Sequence, residues 1–170
     1  MKIIALDSSG LVASAAIIAD RTVIGEYNIQ YRKTHSQTLL PMLDELKKMV
    51  ELDLDSVDAI AIASGPGSFT GLRIGSASVK GLCFALKKPV IEIPTLEGLA
   101  CNLYGTDKLV CPIMDARRNQ VYTGIYEFVK REGMPVSYGL NCLLPQCAVP
   151  IEEIAGTCNK YGREVIFLGD

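Results

Sequence analysis

The sequence predicts an α/β protein made of two lobes of related design, with mixed sheets flanked by helices. Three observations carry that expectation. Short strand-like apolar segments near the N-terminus give way to apolar residues at helical spacing. A continuous apolar segment, "DAIAIAS" at 58–64, has the pattern of a parallel strand covered on both faces. An apolar strand ending in aspartate, "KIIALDSS" at 2–9, returns as "LVCPIMDARR" at 109–118.

The elements follow in order. Strands are expected over 2–9, 12–19 and 22–30, with Asp20-Arg21 forming a tight hairpin between the last two. From Leu39 the period changes. Met42, Leu43, Leu46, Met49 and Val50 share a helix face whose opposite side is charged, with Ser36 or Thr38 as cap and Pro41 in the first turn. A helix from Thr70 to Leu86 follows the buried strand, then a strand at 89–94 and a short helix at 95–103. After the strand at 109–118 come strands at 120–129 and 135–144, and a last one within "EVIFLGD" at 164–170. The paired aspartates, Asp7 and Asp115, suggest a duplicated hairpin lobe. The expected lobes are 1–103 and 104–170, the second incomplete because the chain stops at a strand end.

Composition narrows the function classes. The chain has 170 residues, 49% of them hydrophobic and 21% charged, as ordinary globular domains do. A net charge of −2 gives no basic field, which argues against a main role as a nucleic-acid clamp. No apolar run approaches the ~18 residues of a membrane span, and the opening segment lacks the features of a signal peptide. The six cysteines form no C-x-x-C pair and read as small buried residues in a reducing, cytoplasmic setting. One histidine, His35, excludes a His-rich metal site by count.

The segment "SGPGSFTGLRIGSASVKGL" at 64–82 raises a choice between a phosphate cradle and a packing helix. Its glycines at 65, 67, 71 and 75 fit neither the Walker spacing, which needs a lysine in the loop, nor G-x-G-x-x-G. The helix has one apolar stripe of Leu72, Val79, Leu82, Cys83 and Leu86, and small residues on the other side. Only Arg73 and Lys80 are charged, so the helix is covered on more than one side. Either its own lobe or a partner helix does this. Asp7, Ser8 and Ser9 at a strand end could hold an anion or Mg²⁺, or simply form a turn; Asp115 has the same two readings. His35 beside Ser36 invites a nucleophile reading, but no third member or oxyanion donor accompanies it.

"ALDSS", "HSQTLLPML", "GPGSFTGLRIGSASVKGL" and "DARRNQVYTGIY", in this order, resemble the bacterial TsaB (YeaZ) family over essentially the whole chain. The resemblance implies an actin/Hsp70-like (ASKHA) architecture of two RNase-H-like lobes. It also implies a non-catalytic subunit that pairs with its catalytic paralogue TsaD, joined by the ATPase TsaE. That assembly threonylcarbamoylates adenosine 37 in tRNAs reading ANN codons. When alone, the subunit is expected to form a homodimer through the same helices, and its contact with tRNA is expected to be indirect.

The implied docking helices lie near 35–50 and 70–86. The expected contact positions are His35, Leu39, Met42, Leu72, Gly75, Ser76, Val79 and Cys83. A bulky residue at Gly75 is expected to abolish pairing while leaving the lobe folded. Catalytic paralogues carry a metal-binding H-M-E-G-H where this chain has "TLEGL", so Thr95 and Leu99 stand in place of the ligands. The Asp7-Ser8-Ser9-Gly10 turn has its glycine displaced from the paralogues' phosphate loop, and "DARR" lacks the second-lobe glycine. The expectation is therefore no catalytic residue and no required cofactor or metal. Asp7, Ser8, Ser9 and Asp115 would form a vestigial anion site at most, with weak ATP or ADP binding and Mg²⁺ only alongside nucleotide. Two alternatives stay open: an ASKHA phosphotransferase or ATPase, and a glycoprotease-like peptidase.

Overall fold

A computed structural model describes residues 1–31, 34–133 and 137–169. It divides into two compact units, Met1–Pro94 and Thr95–Asp170. The expected start of a strand at 135 and the terminal Asp170 lie outside the described residues.

The first unit runs β1 (Lys2–Asp7), β2 (Ala13–Ala19), β3 (Thr22–Ile29), α1 (His35–Met49), β4 (Ala59–Gly65), α2 (Phe69–Leu86) and β5 (Val90–Pro94). Its sheet has the order β3-β2-β1-β4-β5. The first three strands form an antiparallel meander, and β4 and β5 add in parallel through helical crossovers. Asp20 and Arg21, with φ of 46° and 71°, make the two-residue hairpin loop, and Ala19 lies opposite Thr22. Both loop positions need φ > 0, as turns that match strand twist do. Ile4, Leu6, Ile17, Ile60 and Ile62 of the sheet pack with Leu39, Leu43 and Leu46 of α1 and Val79 of α2. This is the core of the unit.

Two details of α1 differ from expectation. Its cap is Thr34, without a side-chain cap bond, so the helix starts at His35. Pro41 therefore lies in the second turn, inside the helix. The amide that proline lacks would have met the carbonyl of Gln37, an exposed residue whose oxygen water can serve.

The second unit contains α3 (Thr95–Ala100), β6 (Leu109–Arg117), β7 (Gln120–Arg131), β8 (Ser137–Pro150), α4 (Ile151–Lys160) and β9 (Val165–Gly169). The sheet order is β8-β7-β6-β9, with β9 parallel to β6. Successive residues of β6 point to opposite faces, so two cores form. Val110 and Met114 join Leu96, Ala100, Tyr126 and Phe128, while Leu109 and Cys111 join Ile125, Ile154 and Cys158. The division falls at Pro94/Thr95 rather than at the expected 103/104. The reason is packing: Leu96 and Ala100 are fully buried in the core of the second unit. Helix α4 was not anticipated. Its signal is Ile151, Ile154 and Cys158 on one side, with Glu152 and Glu153 in the first turn.

The duplication is visible in the strand orders. Three meander strands, a helix, and a strand returning parallel to the first describe both β1-β2-β3-α1-β4 and β6-β7-β8-α4-β9.

The thiols test the second core. Cys111 is fully buried, with its Sγ 3.3 Å from Thr123 Oγ1, and burial pushes it up to about 12. Iodoacetamide at pH 8 should alkylate the exposed Cys101 and Cys142 first, with Cys111 and Cys158 modified only after denaturation, as read by peptide mass mapping. The folded thiol of Cys111 titrates above its ordinary value of 9.0, so its contribution to stability is intact below that pH and declines as pH rises toward about 12.

Candidate functional site

The turn after β1 packs directly on the start of α2. Ser8 and Ser9 are buried at 1% and 3% exposure. The Ser8 hydroxyl donates to the Gly71 carbonyl at 2.8 Å, and the Ser68 amide donates to the Ser9 carbonyl at 2.6 Å. The Ser9 amide in turn donates to Asp7 Oδ1 at 2.7 Å, closing an Asx turn. His35, the first residue of α1, donates from Nε2 to the Gly10 carbonyl at 2.9 Å. One turn thus holds the N-termini of both helices.

This contact requires glycine in α2. A Cβ at Gly71 would sit inside the van der Waals radius of the Ser8 carbonyl oxygen. One at Gly75 would overlap the Ser8 hydroxyl and come within 2.9 Å of Ile62 Cδ1. The small-residue side of the first half of α2 therefore faces its own lobe. Val79, Leu82 and Leu86 continue that buried side toward the C-terminus.

The opposite side of α2 is open. Phe69, Arg73, Ala77, Lys80 and Phe84 are exposed there, with Ser76 half-buried among them, and Phe69 and Phe84 are 69% and 87% exposed. The Arg73 guanidinium lies 3.9 Å from the centroid of the Phe69 ring, a cation–π contact. Phe69, Leu72, Arg73, Ser76, Ala77 and Lys80 line a shallow groove along this side. No Asp or Glu occurs in α2.

The expected contact positions divide accordingly. Leu39, Met42 and Val79 are enclosed in the core of the lobe, and the backbone of Gly75 is packed on Ser8, so none of the four is open at the surface. Leu72, Ser76 and Cys83 are half-buried on the flank of the open side. His35 is half-buried and engaged with the β1–β2 turn. Sequence reasoning missed Phe69, Arg73, Ala77, Lys80 and Phe84, whose spacing of 4, 4, 3 and 4 residues already marks one helix face.

The candidate anion residues are held in turns. In the second unit the Arg117 amide donates to Asp115 Oδ1 at 2.7 Å, repeating the bond between Ser9 and Asp7. Arg117 Nε also lies 3.7 Å from Asp115 Oδ2. The Ser36 hydroxyl shares a 2.8 Å hydrogen bond with Thr34 Oγ1, and His35 points elsewhere. Thr95 is buried, and Leu99 packs on the core of the second unit.

The repeated lobe topology, with strands 3-2-1-4 and a helix between the third and fourth, defines an ASKHA-type protein of the actin/Hsp70 architecture. The family description "TsaD: tRNA N6-adenosine threonylcarbamoyltransferase" matches residues 23–136. A tRNA threonylcarbamoyladenosine biosynthesis protein TsaB from Bacillus subtilis is 35% identical over 169 residues, 99% of this chain and 71% of that protein. The Haemophilus influenzae TsaB is 37% identical over 144 residues, 82% of this chain and 58% of that protein. YeaZ from Pseudomonas aeruginosa superposes with a TM-score of 0.72 at 32% identity, covering 89% of this chain and 68% of that one. The chain belongs to the TsaB (YeaZ) family. It spans about three-fifths to seven-tenths of these relatives.

Two glycine substitutions separate packing from helix propensity. Gly71→Ala should lose about 3 kcal/mol to the backbone clash and regain about 1 kcal/mol in propensity, a net loss of about 2 kcal/mol in urea denaturation. Gly81→Ala, where nothing lies within 4 Å, should instead stabilise. Gly75→Leu should prevent folding of the lobe, which corrects the expectation that it would spare the fold.

Proposed function

We propose that this chain is the accessory, non-catalytic subunit of the assembly that makes threonylcarbamoyladenosine on tRNA, and that it docks on its catalytic paralogue TsaD through the open side of α2. The observation that carries the proposal is the pair of exposed phenylalanines, Phe69 and Phe84, on one helix face of a TsaB-family chain. Large aromatics left in water on one side of a helix mark an interaction surface. The relatives' name supplies the pathway. In this reading TsaE completes the assembly, the same face supports a homodimer when TsaD is absent, and contact with tRNA is indirect. The assembly works in the cytoplasm; among the described residues no helix is long and apolar enough to cross a membrane.

Nucleotide has no required role in this proposal. The Ser8 hydroxyl, the Ser9 amide and the Ser9 carbonyl are all engaged within the lobe, which supports a turn whose function is packing.

Phe84→Asp should leave the circular dichroism spectrum unchanged and reduce co-purification with TsaD at least about tenfold, the loss of a single aromatic anchor. Undiminished pairing would sink the docking proposal. Isothermal titration of the wild-type chain with Mg-ATP should show no micromolar binding; such binding, lost in Asp7→Ala, would favour the ATPase reading.

A further inference from the structure

The open side of α2 is symmetric along its length. Phe69 and Phe84, Arg73 and Lys80, and Ser76 and Ala77 are equidistant from the midpoint between Ser76 and Ala77. A second copy laid antiparallel on this face would place its Phe84 opposite Phe69, with small residues at the crossing. It would also place its Lys80 opposite Arg73, at both ends of the contact. The apolar pattern favours self-pairing and the charges oppose it.

Among the described residues no carboxylate lies within ion-pair distance of Arg73 or Lys80, and α2 carries none of its own. Both cations are exposed at positions between Phe69 and Phe84 on the helix, the Arg73 guanidinium lying against the Phe69 ring. Like charges brought together at an interface act against the wrong partner, and opposite charges select the right one.

We propose that Arg73 and Lys80 select the occupant of this face: a helix of apolar surface carrying carboxylates about seven residues apart, in preference to a second copy of this chain. The inference rests on the docking face of the previous section and adds the chemistry of the partner. The four cations gathered at the crossing make self-pairing weaker than pairing with such a helix, and leave it for when that partner is absent. A partner with carboxylates at that spacing pairs both cations while covering Phe69 and Phe84.

Charge reversal on the full chain tests this by sedimentation equilibrium and by titration with TsaD. Lys80→Glu converts both like-charge oppositions into Arg–Glu pairs, so self-association at low salt should tighten roughly tenfold, and high salt should erase the gain. Arg73→Glu combined with Lys80→Glu restores like-charge opposition. Its self-association should return to the wild-type level, and its affinity for TsaD should fall at least about tenfold. Self-association unchanged by the single reversal, or tightened further by the double reversal, overturns the proposal. TsaD binding undiminished by the double reversal overturns it as well. Loss of TsaD binding in Phe84→Asp alongside unchanged binding in the charge variants would leave the docking face standing and remove only the selection by charge. Retention in both would remove the face itself.

Discussion

The first lobe depends on the approach of the β1–β2 turn to the backbone of α2. Ser8 is almost completely buried, and its hydroxyl must find a partner there, because a buried polar group without one costs about 1–3 kcal/mol. The Gly71 carbonyl provides it, and only the absence of side chains at positions 71 and 75 lets the two segments come so close. That close packing fixes the rotation of α2 about its own axis. With Gly71, Gly75 and Val79 directed inward, Phe69, Arg73, Ala77, Lys80 and Phe84 have no direction left but outward. The composition of the open face is thus a consequence of the turn.

The second unit shows what the shared design retains. Asp7 and Asp115 each close a turn by accepting from the amide two residues on, at the same 2.7 Å. That shared bond gives the aspartate at each strand end a turn-closing role. Helices α1 and α4 each pack on a face of their own sheet, α1 through Leu39, Leu43 and Leu46, and α4 through Ile154 and Cys158 on the β6 face that carries Leu109 and Cys111.

Much of the fold was legible because each strand of the first unit is short, apolar and bounded by turn residues, and because α1 has a clean period. The location of α2 was equally plain. Its orientation was not. A glycine at helical spacing signals that some backbone comes close, but the sequence does not say whether that backbone belongs to another chain or to the turn sixty residues earlier. Ser8 offers no hint that its carbonyl lies over Gly71. The exposed phenylalanines were available at their regular spacing and were outweighed by the small residues. In the second unit, α4 was obscured because the long strand β8 runs directly into it, with Pro150 the only boundary mark. The unit boundary was misplaced for a related reason, since burial of Leu96 and Ala100 is a tertiary fact that their local pattern does not carry.

The contact between Arg73 and Phe69 has a consequence for the speed and cost of association. A surface arginine ordinarily samples many rotamers, and immobilising such a side chain on binding costs about 0.5–1.5 kcal/mol. Here the guanidinium already rests 3.9 Å from the centroid of the Phe69 ring in the free chain. Part of its conformational entropy is therefore lost on folding rather than at the encounter, and the ring it rests on is ordered with it. A partner docking on this face as proposed would meet one cation and one aromatic already set in place, and most of the remaining ordering would fall to Lys80 and Phe84.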